Sequence, residues 1–222
     1  MKKLILLSIT LLCFSLSSLA QTKAEQYYQQ AVNYQYGLNG VERDFDKSYK
    51  YLMKAADAGY AVAQFDVAAN YEAGYGRFEK NYGEALKWYR KAADQGHSES
   101  LFFLGNMYSN GRGCSENINE AIKWYEKAAE KGNINAILVL GDYYYRGERV
   151  QKDYNKAMDW YRKGYNLGST EAMYSIGLLW ETGDGDNFPK DYEKAAAAYQ
   201  IAADRGYTRA SFALSFLRDK MK

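Results

Sequence analysis

The chain has 222 residues, 47% of them hydrophobic and 25% charged, a composition that excludes an intrinsically disordered protein. Its formal net charge is only +2 at pH 7, which gives no electrostatic reason for binding nucleic acid or anionic lipid. A single proline beside 19 glycines favours a helical protein with many helix ends, because glycine readily adopts the left-handed backbone found there.

Residues 1–20 have the pattern of a secretory signal peptide. Lys2 and Lys3 precede an apolar run at 4–16, and small residues at Ser18 and Ala20 favour cleavage after Ala20. The alternative is a membrane anchor, but the apolar run is short for a helix that crosses a bilayer. We therefore expect a periplasmic or secreted domain at 21–222, without membrane insertion after cleavage.

Cleavage would change both the charge and the cysteine content. It removes Lys2 and Lys3 and leaves 27 basic and 27 acidic residues. It also removes Cys13, so Cys114 is the only cysteine left and cannot form an intrachain disulfide. Its thiol is either a tolerated loop cysteine or a link between chains.

One phrase occurs twice, as ALKWYRKAADQG at 85–96 and AIKWYEKAAEKG at 121–132. The glycine that ends the phrase recurs at intervals of 36 to 38 residues, at Gly59, Gly96, Gly132, Gly168 and Gly206. A second series in the same register is Gly37, Gly74, Gly111, Gly147 and Gly183, and a third, of small residues, is Ala31, Ala68, Gly105, Gly141 and Gly177. Three such series indicate five repeated units.

Each unit is predicted to form two helices. In the first helix, Ala136, Leu140, Gly141 and Tyr144 share one face. The second helix starts after a capping side chain, Asp44, Asn81, Asn117, Asp153 or Asp191. It then buries a stripe that is clearest as Ala85, Trp88, Tyr89, Ala92 and Ala93.

A single helix pair cannot bury its apolar face alone, whereas stacked pairs can. We therefore predict an all-α protein, a right-handed α-solenoid of about five pairs at 24–60, 61–97, 98–133, 134–169 and 170–207. Residues 208–222 repeat only the first helix and are predicted to cap the last pair. Gly164 and Tyr165 replace the usual Ala-Ala pair, which predicts an irregular junction between the fourth and fifth units.

The repeated pattern resembles the Sel-like repeat, which is related to the tetratricopeptide repeat. The matching elements are Ala-x-x-x-Leu-Gly-x-x-Tyr-x-x-Gly in the first helix and Asp-Tyr-x-Lys-Ala-x-x-Trp-Tyr-x-Lys-Ala-Ala-x-x-Gly in the second, over residues 24–222. The first unit departs at Gln26, where alanine is usual, and at Ser48, where the second helix starts. The resemblance implies an adaptor that binds other proteins.

Few residues could carry chemistry. His97 is the only histidine, and it could form a nucleophilic pair only with Cys114 in the next loop. One histidine and one cysteine are too few for a zinc site. The acidic turn Asp184-Gly-Asp186-Asn187 lacks the glycine and glutamate of a calcium loop. We therefore expect no catalytic residue, metal or cofactor.

The first helices are expected to line a concave face. A mostly aromatic column two positions before the Leu or Val of each unit, at Tyr28, Phe65, Phe102, Leu138 and Tyr174, either packs between units or faces the groove. Polar positions run beside it. The candidate partner-binding residues are Tyr28, Phe65, Phe102, Tyr174, Asn70, Asn106, Asp142 and Tyr143, a mixture that suits peptide better than lipid.

The leading interpretation is an exported, non-catalytic scaffold that binds a protein or peptide, with self-association as a further possibility. The alternative is a secreted small-ligand binder or a weak β-lactam-interacting enzyme. A cysteine-rich branch of the resembling family has that activity, but it pairs two cysteines in each repeat. Residues 21–222 have no pair of cysteines and no Ser-x-x-Lys motif.

Overall fold

The computed structural model describes residues 22–185 and 187–221, and the regular structure in these ranges is helical apart from an isolated bridge at Asp184. The predicted signal segment lies outside the described residues, so its cleavage stays a prediction. The described part of the first helix, α1, covers residues 22–36. It is followed by α2 (Phe45–Asp57), α3 (Ala61–Ala73), α4 (Tyr82–Ala93), α5 (Ser98–Asn110), α6 (Ile118–Glu130), α7 (Ile134–Arg146), α8 (Tyr154–Asn166), α9 (Thr170–Thr182), α10 (Tyr192–Asp204) and α11 (Thr208–Lys220).

The chain forms two compact units, Met1–Asn117 and Ile118–Lys222. In the first, α2 packs against α3, α3 against α4 and α4 against α5. In the second, each helix from α6 to α11 packs against the next one in the chain. The predicted all-α fold, with helix pairs followed by one extra helix, is confirmed. None of the helices in the described ranges is long and apolar enough to span a bilayer.

The predicted capping residues determine where the second helices begin. Four of them accept hydrogen bonds from backbone N–H groups of the first turn, namely Asp44, Asn81, Asp153 and Asp191. The fifth, Asn117, directly precedes α6. These N–H groups have no partner inside the helix, so a side-chain acceptor stabilises each start by about 1 kcal/mol.

The two glycine series end the helices. All ten glycines have positive φ, between 63° and 93°. Gly74 follows α3 with φ 71° and donates its N–H to the Asn70 carbonyl at 2.8 Å. Gly96, with φ 81°, donates to the Ala93 carbonyl at 2.8 Å after α4. A side chain in this left-handed region costs roughly 1–2 kcal/mol, which explains why glycine recurs there.

A buried tyrosine from the second helix fills the space inside most of the pairs. Tyr89, Tyr125, Tyr161 and Tyr199 are at most 1% exposed. Three hydroxyls donate to a carboxylate on the first helix of the same pair: Tyr89 to Glu72 at 3.0 Å, Tyr161 to Asp142 at 2.6 Å and Tyr199 to Glu181 at 2.8 Å. Burial raises the pKa of these three tyrosines above its ordinary value.

The column of small residues lies under these tyrosine rings. A Cβ atom at Gly177 would lie 2.5 Å from Tyr199 Cδ1, and one at Gly141 would lie 2.7 Å from Tyr161 Cδ1. The predicted close approach of the two helices is therefore present in both pairs, with the ring filling the space that a methyl group would occupy.

The predicted irregularity between the fourth and fifth units is wrong, because the turn between α8 and α9 keeps the hydrogen bond of the other junctions. The Ser169 N–H donates to the Gly164 carbonyl at 3.0 Å, as the Asn133 N–H does to the Ala128 carbonyl at 3.0 Å. A Cβ atom at Gly164 would lie 3.0 Å from Ala172 Cβ, so glycine lets α9 approach. The Tyr165 ring is not part of this contact. It packs against Arg205, with the guanidinium 4.7 Å from the ring centroid.

Candidate binding groove

The first helix pair differs from the others at the position of the buried tyrosine, which is Leu52. Gln35 lies across the pair from Leu52. In two other pairs the equivalent position is occupied by Glu72 or Glu181, and each of these carboxylates accepts a hydrogen bond from the tyrosine hydroxyl of its own pair. With no hydroxyl at Leu52, the Gln35 Oε1 atom accepts instead from the Ser48 hydroxyl at 3.1 Å. Leucine is smaller than tyrosine, so space remains between α1 and α2.

A cavity of about 350 Å³ occupies this space. Helix α1 contributes Tyr28, Ala31, Val32, Gln35 and Tyr36; α2 contributes Ser48 and Leu52; α3 contributes Asp66, Ala69 and Asn70; and Tyr75 follows α3. A second cavity of about 240 Å³ shares Gln35, Ser48, Leu52, Asn70 and Tyr75 and adds Phe45, Tyr49, Gly76, Arg77 and Phe78. We call the two adjoining cavities the α1–α3 groove.

Exposed aromatic side chains surround the α1–α3 groove. Tyr36 is 66% exposed, Tyr75 is 56% exposed and Phe45 is 50% exposed. The floor, in contrast, is well ordered by packing: Phe78 lies edge-on to Tyr49 and Tyr71, with ring centroids 5.0 and 4.8 Å apart. Exposed rings over an ordered floor are a feature of protein interaction sites.

The charged side chains that line the groove have partners. Asp66 Oδ2 accepts from the Tyr28 hydroxyl at 2.8 Å, and the Arg77 guanidinium lies 2.5 Å from Asp46 Oδ1. Burial raises the pKa of the Asp66 carboxyl, an effect that the Tyr28 hydrogen bond and the nearby His97 partly oppose. The groove therefore presents aromatic and amide groups rather than an unpaired charge.

Replacing Asp66 with asparagine is expected to alter the dependence of stability on pH. The folded-state pKa of Asp66 is raised, so the protonated form of this side chain favours the folded state. The stability that it contributes is fully present below the unfolded-state pKa. That stability is lost as the pH rises through the folded-state pKa. Asparagine does not ionise and can still accept from Tyr28. Asp66→Asn should therefore gain stability relative to the parent as the pH rises above the ordinary pKa of an aspartate, as measured by urea unfolding.

The matched control is Asp159→Asn, which removes an exposed carboxylate from α8 and reports the general effect of deleting one negative charge. If Asp66→Asn lost stability relative to this control as the pH rose, the carboxylate would be stabilising when ionised, and the burial argument would fail.

The eight predicted site residues do not lie together. Tyr28 and Asn70 line the α1–α3 groove. Asp142 and Tyr143 line a separate cavity of about 240 Å³ on α7, with Arg146, Glu148 and Arg149 nearby. Asn106 is half-buried, and its backbone carbonyl accepts from the Asn110 side chain at 2.7 Å.

The remaining aromatic candidates are half-buried in ring packing. The Phe65 ring lies 5.1 Å from His97 and 5.5 Å from Phe103, on the next repeat. The Phe102 ring lies 5.6 Å from that of Phe103. Tyr174 lies 5.4 Å from Tyr199 and 5.3 Å from Tyr207. Of the two alternatives for this column, packing between repeats describes Phe65, which contacts Phe103 of the next repeat. Tyr174 packs within its own repeat, whereas Tyr28 both packs against Tyr60 and lines the groove.

The sequence reasoning missed most of the groove, including Gln35, Tyr36, Leu52 and Tyr75. One signal was available, because Ser48 and Leu52 stand where the other units have alanine and tyrosine. When two residues on one helix face differ from the repeat pattern, and one of them replaces a buried tyrosine by a smaller side chain, the space that the tyrosine fills in the other pairs is left open.

His97 and Cys114 lie at opposite ends of α5. The His97 ring caps its first turn by accepting from the Ser100 N–H at 3.3 Å. The Cys114 sulfur follows its last turn and lies 3.8 Å from the carbonyls of Met107 and Arg112. A helix of 13 residues spans roughly 20 Å, so the two side chains do not form a nucleophilic pair. Burial raises the pKa of the Cys114 thiol.

Comparison with known families places the repeats at defined positions. The family model described as the Sel1 repeat matches residues 31–60, 61–97, 98–133, 134–169 and 170–207. No curated protein matches the chain at a significant level.

Several solved structures are similar. A Sel1 repeat protein from Oxalobacter formigenes is 34% identical with a TM-score of 0.71, and the match covers 84% of this chain and 75% of that one. A protective antigen from uropathogenic Escherichia coli is 24% identical (TM-score 0.67), with 90% of this chain matching 51% of that one. An immunity protein from Pseudomonas aeruginosa is 25% identical (TM-score 0.51), with 86% of this chain matching 69% of that one.

Proposed function

The chain belongs to the Sel1 repeat family, and from this premise we propose that it is an exported, non-catalytic scaffold that binds a segment of another protein. The binding site is the α1–α3 groove. The observation that carries the proposal is this groove, an open space with exposed Tyr36, Tyr75 and Phe45 at its edge.

The chemistry of the groove suits a polypeptide segment. Aromatic side chains are enriched at protein interfaces, where they bury a large area while losing little conformational freedom. The amides of Gln35 and Asn70 offer both donors and acceptors, as the backbone of a bound segment requires. Because Asp66 and Arg77 are already paired, we expect the segment to place apolar side chains, rather than charges, in the groove.

Site-specific photo-crosslinking in living cells tests this function. Tyr36 is replaced by a photo-reactive phenylalanine analogue, and the adducts are identified by mass spectrometry. The control position is Tyr192, which is 36% exposed on α10, outside the groove. We expect a discrete adduct with another protein from position 36 and none from position 192.

A second variant distinguishes an adduct that forms by binding in the groove from one that forms by chance collision. Ala69→Arg places a long charged side chain over the groove and should abolish the adduct from position 36 while the circular dichroism and melting temperature stay unchanged. The proposal is wrong if position 36 gives no adduct, or if the same adduct forms at both positions or survives in the Ala69→Arg variant.

A further inference from the structure

Helix α11 carries apolar side chains on two opposite faces. Ala210, Leu214 and Leu217 are buried, and α11 packs against α10. Phe212 and Phe216, one turn apart, are 64% and 71% exposed. A helix that packs on one side only is usually polar on the other, so two exposed phenylalanines in succession require an explanation.

The exposed rings belong to a longer stripe that we call the outer stripe: Arg209, Phe212, Phe216 and Asp219. At about 100° per residue, these four positions lie within roughly 80° of one another, on the side of the helix away from the buried residues. All four are exposed. Along the helix the stripe runs from basic through two aromatic residues to acidic.

Two copies of this stripe complement each other when their helices run antiparallel, because the basic end of each stripe then meets the acidic end of the other. Consider two antiparallel copies of α11 related by a two-fold axis at the level of Leu214. A residue that lies a given number of positions before Leu214 in one copy then faces the residue that lies the same number of positions after Leu214 in the other. Phe212 and Phe216 lie two residues from Leu214, and Arg209 and Asp219 lie five residues from it. Both Phe212–Phe216 contacts and both Arg209–Asp219 pairs therefore form together, as an isologous interface requires.

We propose that the outer stripe of α11 is a homodimer interface, occupied by α11 of a second copy of this chain in antiparallel orientation. The charge order selects this arrangement, because a parallel pair would bring Arg209 beside Arg209 and Asp219 beside Asp219. A contact of one helix with another falls below the area of a stable dimer, so the association is weak, with a Kd of about 1–100 µM.

Sedimentation equilibrium over a concentration series tests the interface. The full 222-residue chain is expressed, recovered as the cell processes it, and kept in reductant so that Cys114 cannot link two copies. We expect a reversible monomer–dimer equilibrium. Arg209→Asp and Asp219→Arg each turn two attractive pairs into repulsive ones and should each raise Kd about tenfold or more.

The charge variants also provide a rescue that a merely structural effect cannot produce. An equimolar mixture of Arg209→Asp and Asp219→Arg chains restores both ion pairs in the heterodimer, as does the double swap within one chain. Both should return Kd to near the parent value.

A further variant, Phe212→Ser with Phe216→Ser, should be monomeric across the series and fully helical by circular dichroism. If either charge variant fails to fold, this serine variant still tests whether the outer stripe forms the dimer interface. The proposal is overturned if the parent chain stays monomeric at about 200 µM, well above the expected Kd range. It is also overturned if the serine variant dimerises like the parent, or if charge reversal has no effect and mixing no rescue.

Discussion

Tyr161→Ala is expected to lower the free energy of unfolding by about 3–5 kcal/mol, the range for removing a buried aromatic side chain. The ring is 1% exposed and fills the space between α7 and α8, above Gly141. Alanine would leave a cavity there and would also leave Asp142 without the hydroxyl that it accepts from at 2.6 Å. Urea unfolding followed by circular dichroism measures the loss.

Two further variants divide this loss into its parts. Tyr161→Phe keeps the ring and removes only the hydrogen bond to a carboxylate, so it should cost about 1.5–3 kcal/mol. Tyr192→Ala, at a position of α10 in the same unit that is 36% exposed, should cost clearly less than Tyr161→Ala, because part of its ring already contacts solvent. Equal losses for Tyr161→Phe and Tyr161→Ala would mean that the hydroxyl, and not the ring, maintains the pair.

Gly177→Val is expected to destabilise the protein by about 3 kcal/mol through overpacking. The Cβ atom alone would lie 2.5 Å from Tyr199 Cδ1, and Tyr199 is fully buried, so its ring has no space into which to move. Gly177→Ala should cost less, because alanine recovers about 1 kcal/mol of helix propensity. The measurement is again urea unfolding.

The matched control is Gly83→Ala, in α4, where the new Cβ atom would lie 3.4 Å from Asn81 Oδ1 in ordinary contact. It should be neutral or slightly stabilising. Combining Gly177→Ala with Tyr199→Leu should cost less than the sum of the two single changes, because the smaller side chain accepts the methyl group. Strict additivity would show that Gly177 and Tyr199 do not share the same space.

The sequence predicted those parts of the fold that depend on interactions close in the chain. Asp153 caps α8 through the N–H of Lys156, three residues away, and Gly147 ends α7 through its own φ of 69°. Capping and left-handed backbone are properties of single positions, so they are visible in a repeat without knowledge of its neighbours.

The candidate site was harder to predict because it comes from a change in one pair. Phe65 and Tyr28 occupy equivalent positions, yet Phe65 is packed against His97 while Tyr28 lines the groove. The difference lies in Leu52, whose small size opens the space beside Tyr28. Phe212, at the same position of α11, is 64% exposed.

The bonds between tyrosine and carboxylate join residues only 17 to 19 positions apart, in Tyr89–Glu72, Tyr199–Glu181 and Tyr161–Asp142. Contacts of such low order close short loops, so little chain entropy is lost before each pair begins to stabilise itself. Folding can therefore start in either unit and spread to neighbouring pairs. The same short range gives evolution a simple operation: a whole repeat of 36 to 38 residues can be duplicated or deleted with its internal contacts intact.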